Sequence, residues 1–200
     1  MNRRDVVISA GAAMTLVSCS PVKFGGRTEP TASALVVSVA GALPIKFESL
    51  RNKYPREERE KLFRDVLGAG FANLVGNGNY ENTCAIRMSL ALNRIGVKIP
   101  EDLWRADGGH YDRNNYRILI KVKSVFTLLD KLFGVSWGQS KNPGEPLNFS
   151  DVPRWQGVIG YHANFNNADG HVDIWVSKSC YFHCPTPDVQ KAFDVVLWKI

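Results

Sequence analysis

Cys84 lies where a helix is expected to begin, and no other position in the chain carries a clearer chemical signal. Glycine and asparagine fill residues 76–79 and predict a turn, after which Asn82 or Thr83 can cap a helix that starts at or next to Cys84. A thiol in the first turn of a helix lies at the positive end of the helix dipole, which favours the nucleophilic thiolate. The stretch therefore predicts either a cysteine nucleophile or a small residue buried on the inner face of the helix.

A histidine much later in the chain can act as the partner of that thiol. Polar and apolar residues alternate over 171–176, which places His171, Asp173 and Trp175 on one face of a predicted strand. A cysteine at a helix start, followed later by a histidine that opens a strand, is the chain order of papain-like cysteine hydrolases. In these enzymes the imidazole removes the thiol proton. Because a histidine in a strand is often only structural, this pair alone leaves both interpretations open.

Two further cysteines form a close pair near the C-terminus. Cys180 and Cys184 enclose three residues, and such a pair either closes a small disulfide loop in an oxidising compartment or supplies two metal ligands. His183 between them and the distant His162 make a poor ligand set for zinc. We therefore expect neither a metal nor another cofactor.

The first residues resemble an export signal. Residues 1–19 combine a charged start, an apolar run and a small-residue end, which are the three parts of a secretory signal. Arg3 and Arg4 resemble the twin-arginine signature, and the segment before Cys19 resembles a lipobox, whose cysteine is acylated after cleavage. Residues 20–43 are rich in Ser, Thr, Pro, Gly and Ala and predict a flexible linker. We expect the folded domain to span residues 44–200.

Composition and charge narrow the class of protein. A chain of 200 residues with 44% hydrophobic and 22% charged residues suits one globular domain plus a leader. The formal charge of +6 fits a polyanionic partner such as nucleic acid, an anionic membrane or a cell-wall polymer. The basic stretch 46–64 is interleaved with acidic residues, as on a solvated helix face. No cluster of basic residues is dense enough to favour nucleic acid.

Predicted helices precede predicted strands along the chain. Apolar residues at helical spacing predict helices within residues 47–54, 56–67, 84–95 and 116–133. The polar residues 100–115 predict a surface loop. Apolar runs and alternation then predict strands at 157–163, 171–176 and 193–199. Helices followed by an antiparallel sheet indicate an α+β fold.

Two longer motifs resemble a known family. Residues 82–93 read N-T-C-A-I-R-M-S-L-A-L-N and residues 170–175 read G-H-V-D-I-W. Together with the spacing of Cys180 and Cys184, they resemble the fourth family of type VI secretion amidase effectors, relatives of NlpC-type peptidoglycan peptidases. The resemblance covers residues 44–200. It implies a papain-like fold and a cysteine amidase that cuts the peptidoglycan stem peptide between D-glutamate and meso-diaminopimelate.

The same resemblance implies roles for individual residues. Cys84 would be the nucleophile and His171 the general base, while a Cys180–Cys184 disulfide would shape a loop beside the site.

One position departs from the family's pattern. Members place an acidic third residue where this chain has Phe182, which cannot accept a hydrogen bond from the imidazole. His183 is our first candidate to orient His171, and Asp173 is the second, unless it only supports the sheet.

We also expect three residues near the predicted catalytic pair to contact substrate. Asn82 precedes Cys84 in the first motif, and Arg87 lies one turn further along the helix, where it can meet a substrate carboxylate. A packing role suits Arg87 equally well. Trp175 either lines the groove or belongs to the core.

The export signal distinguishes this chain from effectors that a type VI apparatus injects, which need no such leader. It predicts an envelope enzyme that is periplasmic, anchored through Cys19, or reused as an antibacterial protein in the periplasm of a target cell. The expected partners are peptidoglycan stem peptides and a cognate immunity protein, and not nucleic acid. Two alternatives stay open: a peptidoglycan-binding module that has lost catalysis, and an acyltransferase that uses the same thioester.

Overall fold

Helices fill the first half of the described chain and strands the second. The computed structural model describes residues 44–140, 145, 149–163, 165, 168–182 and 192–200. The predicted export signal and linker, Cys19, His183 and Cys184 lie outside these residues. No helix among the described residues is long and apolar enough to cross a bilayer.

The secondary-structure elements confirm the predicted α+β class. The helices are α1 Phe47–Lys53, α2 Arg59–Lys61, α3 Ala69–Ala72, α4 Cys84–Arg94, α5 Glu101–Asp107 and α6 Val122–Phe133. A π-helical segment, Leu62–Leu67, continues α2, and 3₁₀ turns occupy Gly78–Tyr80 and Phe149–Asp151. The strands are β1 His110–Tyr111, β2 Arg117–Ile118, β3 Trp137–Ser140, β4 Gln156–Ala163, β5 Gly170–Val176, β6 Ser179–Cys180 and β7 Ala192–Lys199.

In the main sheet, most of one edge of strand β5 is not paired with another strand of the described chain. Its five antiparallel strands run in the order β3-β7-β4-β5-β6. Strand β4 pairs along the whole of β5, whereas the short β6 pairs only with Trp175 and Val176 at its end. The first part of β5 therefore presents its other edge to the rest of the domain, and the start of α4 lies there.

Helix α4 is central to the core. Every residue from Cys84 to Asn93 is buried. One face of the helix packs with α1, α6 and one face of the sheet, through residues such as Met88 and Leu92. The opposite face packs on the π-helical segment through Ile86 and Leu90. Burial on both sides holds the first turn of α4 in a fixed position against β5.

The predicted loop at residues 100–115 is wrong in part, because it contains α5 and β1. Pro100 precedes α5, and two acidic residues occupy the first turn, a favourable start for a helix. Trp104 supplies the buried contact, since it is 7% exposed and its indole N–H donates to His110 O at 2.6 Å. The predicted helix at 116–133 likewise begins only at Val122, because Arg117 and Ile118 pair with β1.

Asp107, at the end of α5, stabilises the entry into α6. Its buried carboxylate accepts the backbone N–H groups of Ile120 at 2.5 Å and Lys121 at 3.2 Å.

Replacing Asp107 by alanine leaves these two N–H groups without their acceptors, so we expect Asp107→Ala to lower the free energy of unfolding by about 2 kcal/mol. Asp102→Ala, on an exposed position of the same helix, should cost less than about 1 kcal/mol. Urea denaturation measures both, and equal losses would contradict this account.

Candidate active site

Cys84 is the first residue of α4, as predicted; Thr83 is its N-cap residue, and the side chain that bonds to the helix start is that of Asn82. The Asn82 Oδ1 atom accepts the backbone N–H of Cys84 at 3.2 Å, while the Asn82 Nδ2 atom donates to Gly170 O at 3.4 Å. The half-buried Asn82 therefore joins the start of the helix to the start of β5. Both ends of its amide are used in this link, although we had expected the residue at the substrate.

The sulfur of Cys84 lies against the open edge of β5. Backbone hydrogen bonds from Val172 and Ala85 reach the thiol and lower its pKa. Val172 directly follows His171 in β5, and Gly170, which accepts the Asn82 amide, directly precedes it. The structure therefore brings the first turn of α4 to the two residues that flank His171.

Burial outweighs these hydrogen bonds at the thiol. Cys84 is 4% exposed, and desolvation raises its pKa from 9.0 to about 12. Asp173 raises the pKa further by charge repulsion. The thiolate that a helix N-terminus was expected to favour is therefore not the resting form near neutral pH.

His171 lies at the beginning of β5 and is 9% exposed. Its ring is 5.3 Å, centroid to centroid, from the ring of Tyr161, which is its partner residue in β4. The Nε2 atom is buried within the protein. The imidazole is thus packed between strand neighbours beside the residue that contacts the thiol.

Asp173 anchors two other parts of the chain to β5. Its Oδ1 atom accepts the backbone N–H of Ile174 at 2.7 Å, and its Oδ2 atom accepts the N–H of Phe182 at 3.0 Å. The side chain also forms a hydrogen bond with the hydroxyl of Tyr54, which follows α1. Burial, followed by the charge of Asp173, raises the pKa of Tyr54 well above its ordinary value, so Tyr54 is the donor.

Tyr54 is the residue near the site to which sequence reasoning gave no role. It is fully buried, and it interacts electrostatically with Cys84 as well as with Asp173. In the sequence it was only the last residue of an apolar helical repeat that ends before Pro55.

Arg87 is buried, so the packing role left open for it is the one that the structure shows. It is 3% exposed, and its guanidinium donates to Thr83 Oγ1 at 2.8 Å, Pro55 O at 3.0 Å and Glu57 O at 2.8 Å. The same group lies 4.4 Å from the centre of the Phe182 ring. Arg87 therefore connects the first turn of α4 with the chain after α1 and with the segment after β6.

Trp175 is also a core residue and does not line a groove. It is fully buried in the cluster on the second face of the sheet. Its indole N–H donates to Pro153 O at 2.9 Å. Trp175 belongs to this second cluster, whereas Val172 and Ile174 belong to the core cluster that contains Cys84.

The remaining predicted residues can be placed only in part. Cys180 ends β6, but Cys184 lies outside the described residues, so a disulfide between these two cysteines stays a prediction. His183, the first candidate to orient His171, lies outside as well. Among the described residues, no three His, Cys, Asp or Glu side chains form a group that could hold a metal ion.

Comparison with known proteins agrees with this arrangement. The family model of type VI secretion system amidase effector protein 4, Tae4, matches residues 80–198. The solved Tae4–Tai4 effector–immunity complex from Enterobacter cloacae has 20% sequence identity and a TM-score of 0.63, over 77% of this chain and 97% of that one. Tae4 from Enterobacter cloacae has 21% identity and a TM-score of 0.62, over 77% and 95%. Tae4–Tai4 from Salmonella typhimurium has 21% identity and a TM-score of 0.58, over 77% and 94%.

One curated protein gives a different likeness. The large ribosomal subunit protein uL15 of Thermoplasma acidophilum is 33% identical over an alignment of 98 residues, which covers 44% of this chain and 68% of that protein. This match covers less of the chain than the family model does. The structural matches agree with the family model and not with uL15, so the ribosomal likeness does not decide the family.

A buried cysteine begins helix α4, and this helix start docks on the antiparallel strand that begins Gly-His. The match over residues 80–198 takes in both elements. The chain belongs to the type VI secretion system amidase effector 4 family, and it is a peptidoglycan amidase.

The raised pKa of Cys84 predicts a specific loss of stability in alkali. The folded protein keeps the thiol proton up to about pH 12, whereas the unfolded chain releases it near pH 9.0. The free energy of unfolding should therefore fall as pH rises from about 9, by at most about 1.4 kcal/mol per pH unit. The Cys84→Ala variant has no thiol at this position and therefore lacks this ionisation. Urea denaturation at pH 8 and pH 10 should show a smaller loss for Cys84→Ala than for wild type, and equal losses would contradict the burial of the thiol.

The bonds of Arg87 predict a large structural cost when it is removed. Arg87→Leu leaves one hydroxyl and two backbone carbonyls without their donor, so we expect the free energy of unfolding to fall by about 2–4 kcal/mol. Arg94→Leu is the matched control, because Arg94 is exposed on the same helix and donates once, to Lys53 O. It should cost less than about 1 kcal/mol. Similar losses for the two variants would show that Arg87 does not hold these segments together.

Proposed function

We propose that this protein hydrolyses the amide bond between D-glutamate and meso-diaminopimelate in peptidoglycan stem peptides, on a papain-like, NlpC-type scaffold. The observation that carries the proposal is the contact between the Cys84 sulfur and Val172, the neighbour of His171. It supports a thiol that acts with this imidazole. Membership of the amidase effector family supports the reaction class.

In the proposed mechanism His171 takes the proton of Cys84 as the sulfur attacks the carbonyl carbon. The tetrahedral intermediate collapses when the imidazolium gives its proton to the leaving amine of meso-diaminopimelate, which leaves a thioester on Cys84. Water, deprotonated by His171, then attacks the thioester and releases D-glutamate with a free carboxyl group. A thiol that is protonated at rest requires this proton transfer, so the high pKa of Cys84 supports a general-base mechanism.

We assign the orienting role at His171 to His183 and a positioning role to Asp173. The Asp173 carboxylate already accepts bonds from Ile174, Phe182 and Tyr54, so it is better suited to holding these segments. We keep the disulfide between Cys180 and Cys184 as part of the proposal.

Partner and location follow from the family. Solved relatives form complexes with Tai4 immunity proteins, and we propose that a cognate immunity protein also binds this chain. We propose that it acts in the periplasm, either that of its own cell or that of a target cell. Cleavage of the predicted signal and acylation of Cys19 remain part of this proposal.

The decisive experiment digests purified sacculi that contain meso-diaminopimelate and identifies the released fragments by mass spectrometry. Wild type should create a new carboxyl group on D-glutamate and a new amine on meso-diaminopimelate. Cys84→Ala and His171→Ala should each lower the rate on the order of 10³-fold or more. His162→Ala is the matched histidine control on β4 and should keep activity near wild type.

Three outcomes would overturn the proposal in different ways. Sacculus binding without any cleavage by wild type indicates a binding module. Cleavage by Cys84→Ala at the wild-type rate excludes the cysteine mechanism. Transfer of the acyl group to an added amine, in place of water, indicates an acyltransferase.

A further inference from the structure

A concave site lies at the opposite end of α4 from Cys84. It is a cavity of about 270 Å³ between the π-helical segment, the end of α4 and the turn that joins β1 to β2. Asn93, on its wall, is nine residues after Cys84, which is about 14 Å along a helix. The cavity is slightly smaller than the roughly 300–1,000 Å³ of typical small-molecule sites, so one sugar-sized group would fill it.

The polar groups around the cavity are suited to hydroxyl and amide ligands. The Asn93 Nδ2 atom donates to Arg117 O at 2.8 Å, which leaves Oδ1 as the acceptor for a ligand. The side chains of Asn114 and Asp65 line the cavity and are exposed. They add amide and carboxylate groups, which bind hydroxyl and N–H groups.

An aromatic ring and two aliphatic side chains complete the site. Tyr116 lines the cavity and is 52% exposed, more than any other large hydrophobic residue recorded in the described part of the chain. Val66 and Leu90 also line the cavity. The C–H face of a sugar ring packs on an aromatic ring while its hydroxyl groups bond to amides and carboxylates, so this combination matches a saccharide.

The turn that carries Asn114 and Tyr116 is held in place without a ligand. Oδ1 of the buried Asp112 accepts the backbone N–H of Asn114 at 2.9 Å and that of Tyr116 at 2.8 Å. Arg113 donates to Arg64 O at 3.2 Å, which ties the turn to the π-helical segment opposite. A site that is ordered beforehand loses less entropy on binding.

We propose that this cavity binds an N-acetylated amino sugar of the peptidoglycan glycan strand. The inference rests on the proposed function, because it takes the substrate to be peptidoglycan. Asp65 and Asp112 carry negative charge and Arg94 positive charge, so the lining has one net negative charge, which suits a neutral sugar better than a polyanion. A polymer held at both ends of α4 would raise the effective concentration of stem peptides at Cys84.

Titration of the full-length protein with tetra-N-acetylchitotetraose, followed by calorimetry or NMR, tests the site directly. Wild type should show saturable binding, with Kd on the order of 0.1–1 mM. Tyr116→Ala and Asn114→Ala should each weaken binding about tenfold or more. Tyr111→Ala is the matched control, since this tyrosine lies on the same hairpin, is 44% exposed and does not line the cavity. Absence of saturable binding, or equal weakening by Tyr111→Ala, would overturn the proposal.

Kinetics separate this inference from the function on which it rests. Tyr116→Ala should raise KM for intact sacculi about tenfold without lowering kcat, and should leave cleavage of a glycan-free stem peptide unchanged. An equal change with both substrates would show that Tyr116 acts on folding or on the peptide, and would refute the sugar site. If the wild-type protein cuts neither substrate, the proposed amidase specificity fails. The titration with tetra-N-acetylchitotetraose still decides whether the sugar site exists.

Discussion

The structure of the candidate active site depends on the docking of one helix start on one open strand edge. Asn82 bonds to Gly170 and the Cys84 sulfur to Val172, so two adjacent contacts set the position of α4 relative to β5. These backbone groups of β5 are available only because β6 is two residues long and pairs with β5 further along, at Trp175 and Val176. A full-length neighbour strand would consume the same backbone groups and displace the thiol from the residues that flank His171.

The segments around this contact are held by a small set of buried polar groups. Asp173 collects donors from Tyr54 and Phe182, and Arg87 binds the backbone after α1 and stacks on the Phe182 ring. Phe182 thereby has a structural place although it lacks the carboxylate that the family pattern has there. Removal of either polar centre would leave several buried partners unsatisfied, which is why these groups act together.

Elements with a strong apolar repeat could be predicted from the sequence. Helix α4 begins at the predicted residue, and β4, β5 and β7 fall where apolar runs and alternation placed them. Short elements that depend on tertiary partners could not be predicted from the sequence. Helix α5 has one buried aromatic residue, and β3 exists because Trp137 and its neighbours pair with β7, a partner almost sixty residues away in the chain.

The same limit applies to the site. Residue type and spacing predicted a catalytic role for Cys84 and His171, but no local sequence pattern shows whether a side chain is buried. Arg87 and Trp175 therefore remained open between substrate contact and core packing, and the structure buries both. Gly170 gives a clearer signal in retrospect: a Cβ atom there would lie 2.5 Å from Tyr161 O, so the glycine before His171 is required for β5 to pair with β4.

The state of the Cys84 thiol follows from a comparison of two opposing effects. A helix N-terminus stabilises a negative charge by about 0.3–1 kcal/mol, and by about 2 kcal/mol in favourable buried cases. The net rise of the Cys84 pKa from 9.0 to about 12 corresponds to roughly 4 kcal/mol against the thiolate. Desolvation therefore prevails over the dipole and the backbone hydrogen bonds together. Cys84 therefore rests as a thiol. In the mechanism that we propose, its proton must be removed during attack, and this is the role proposed for His171.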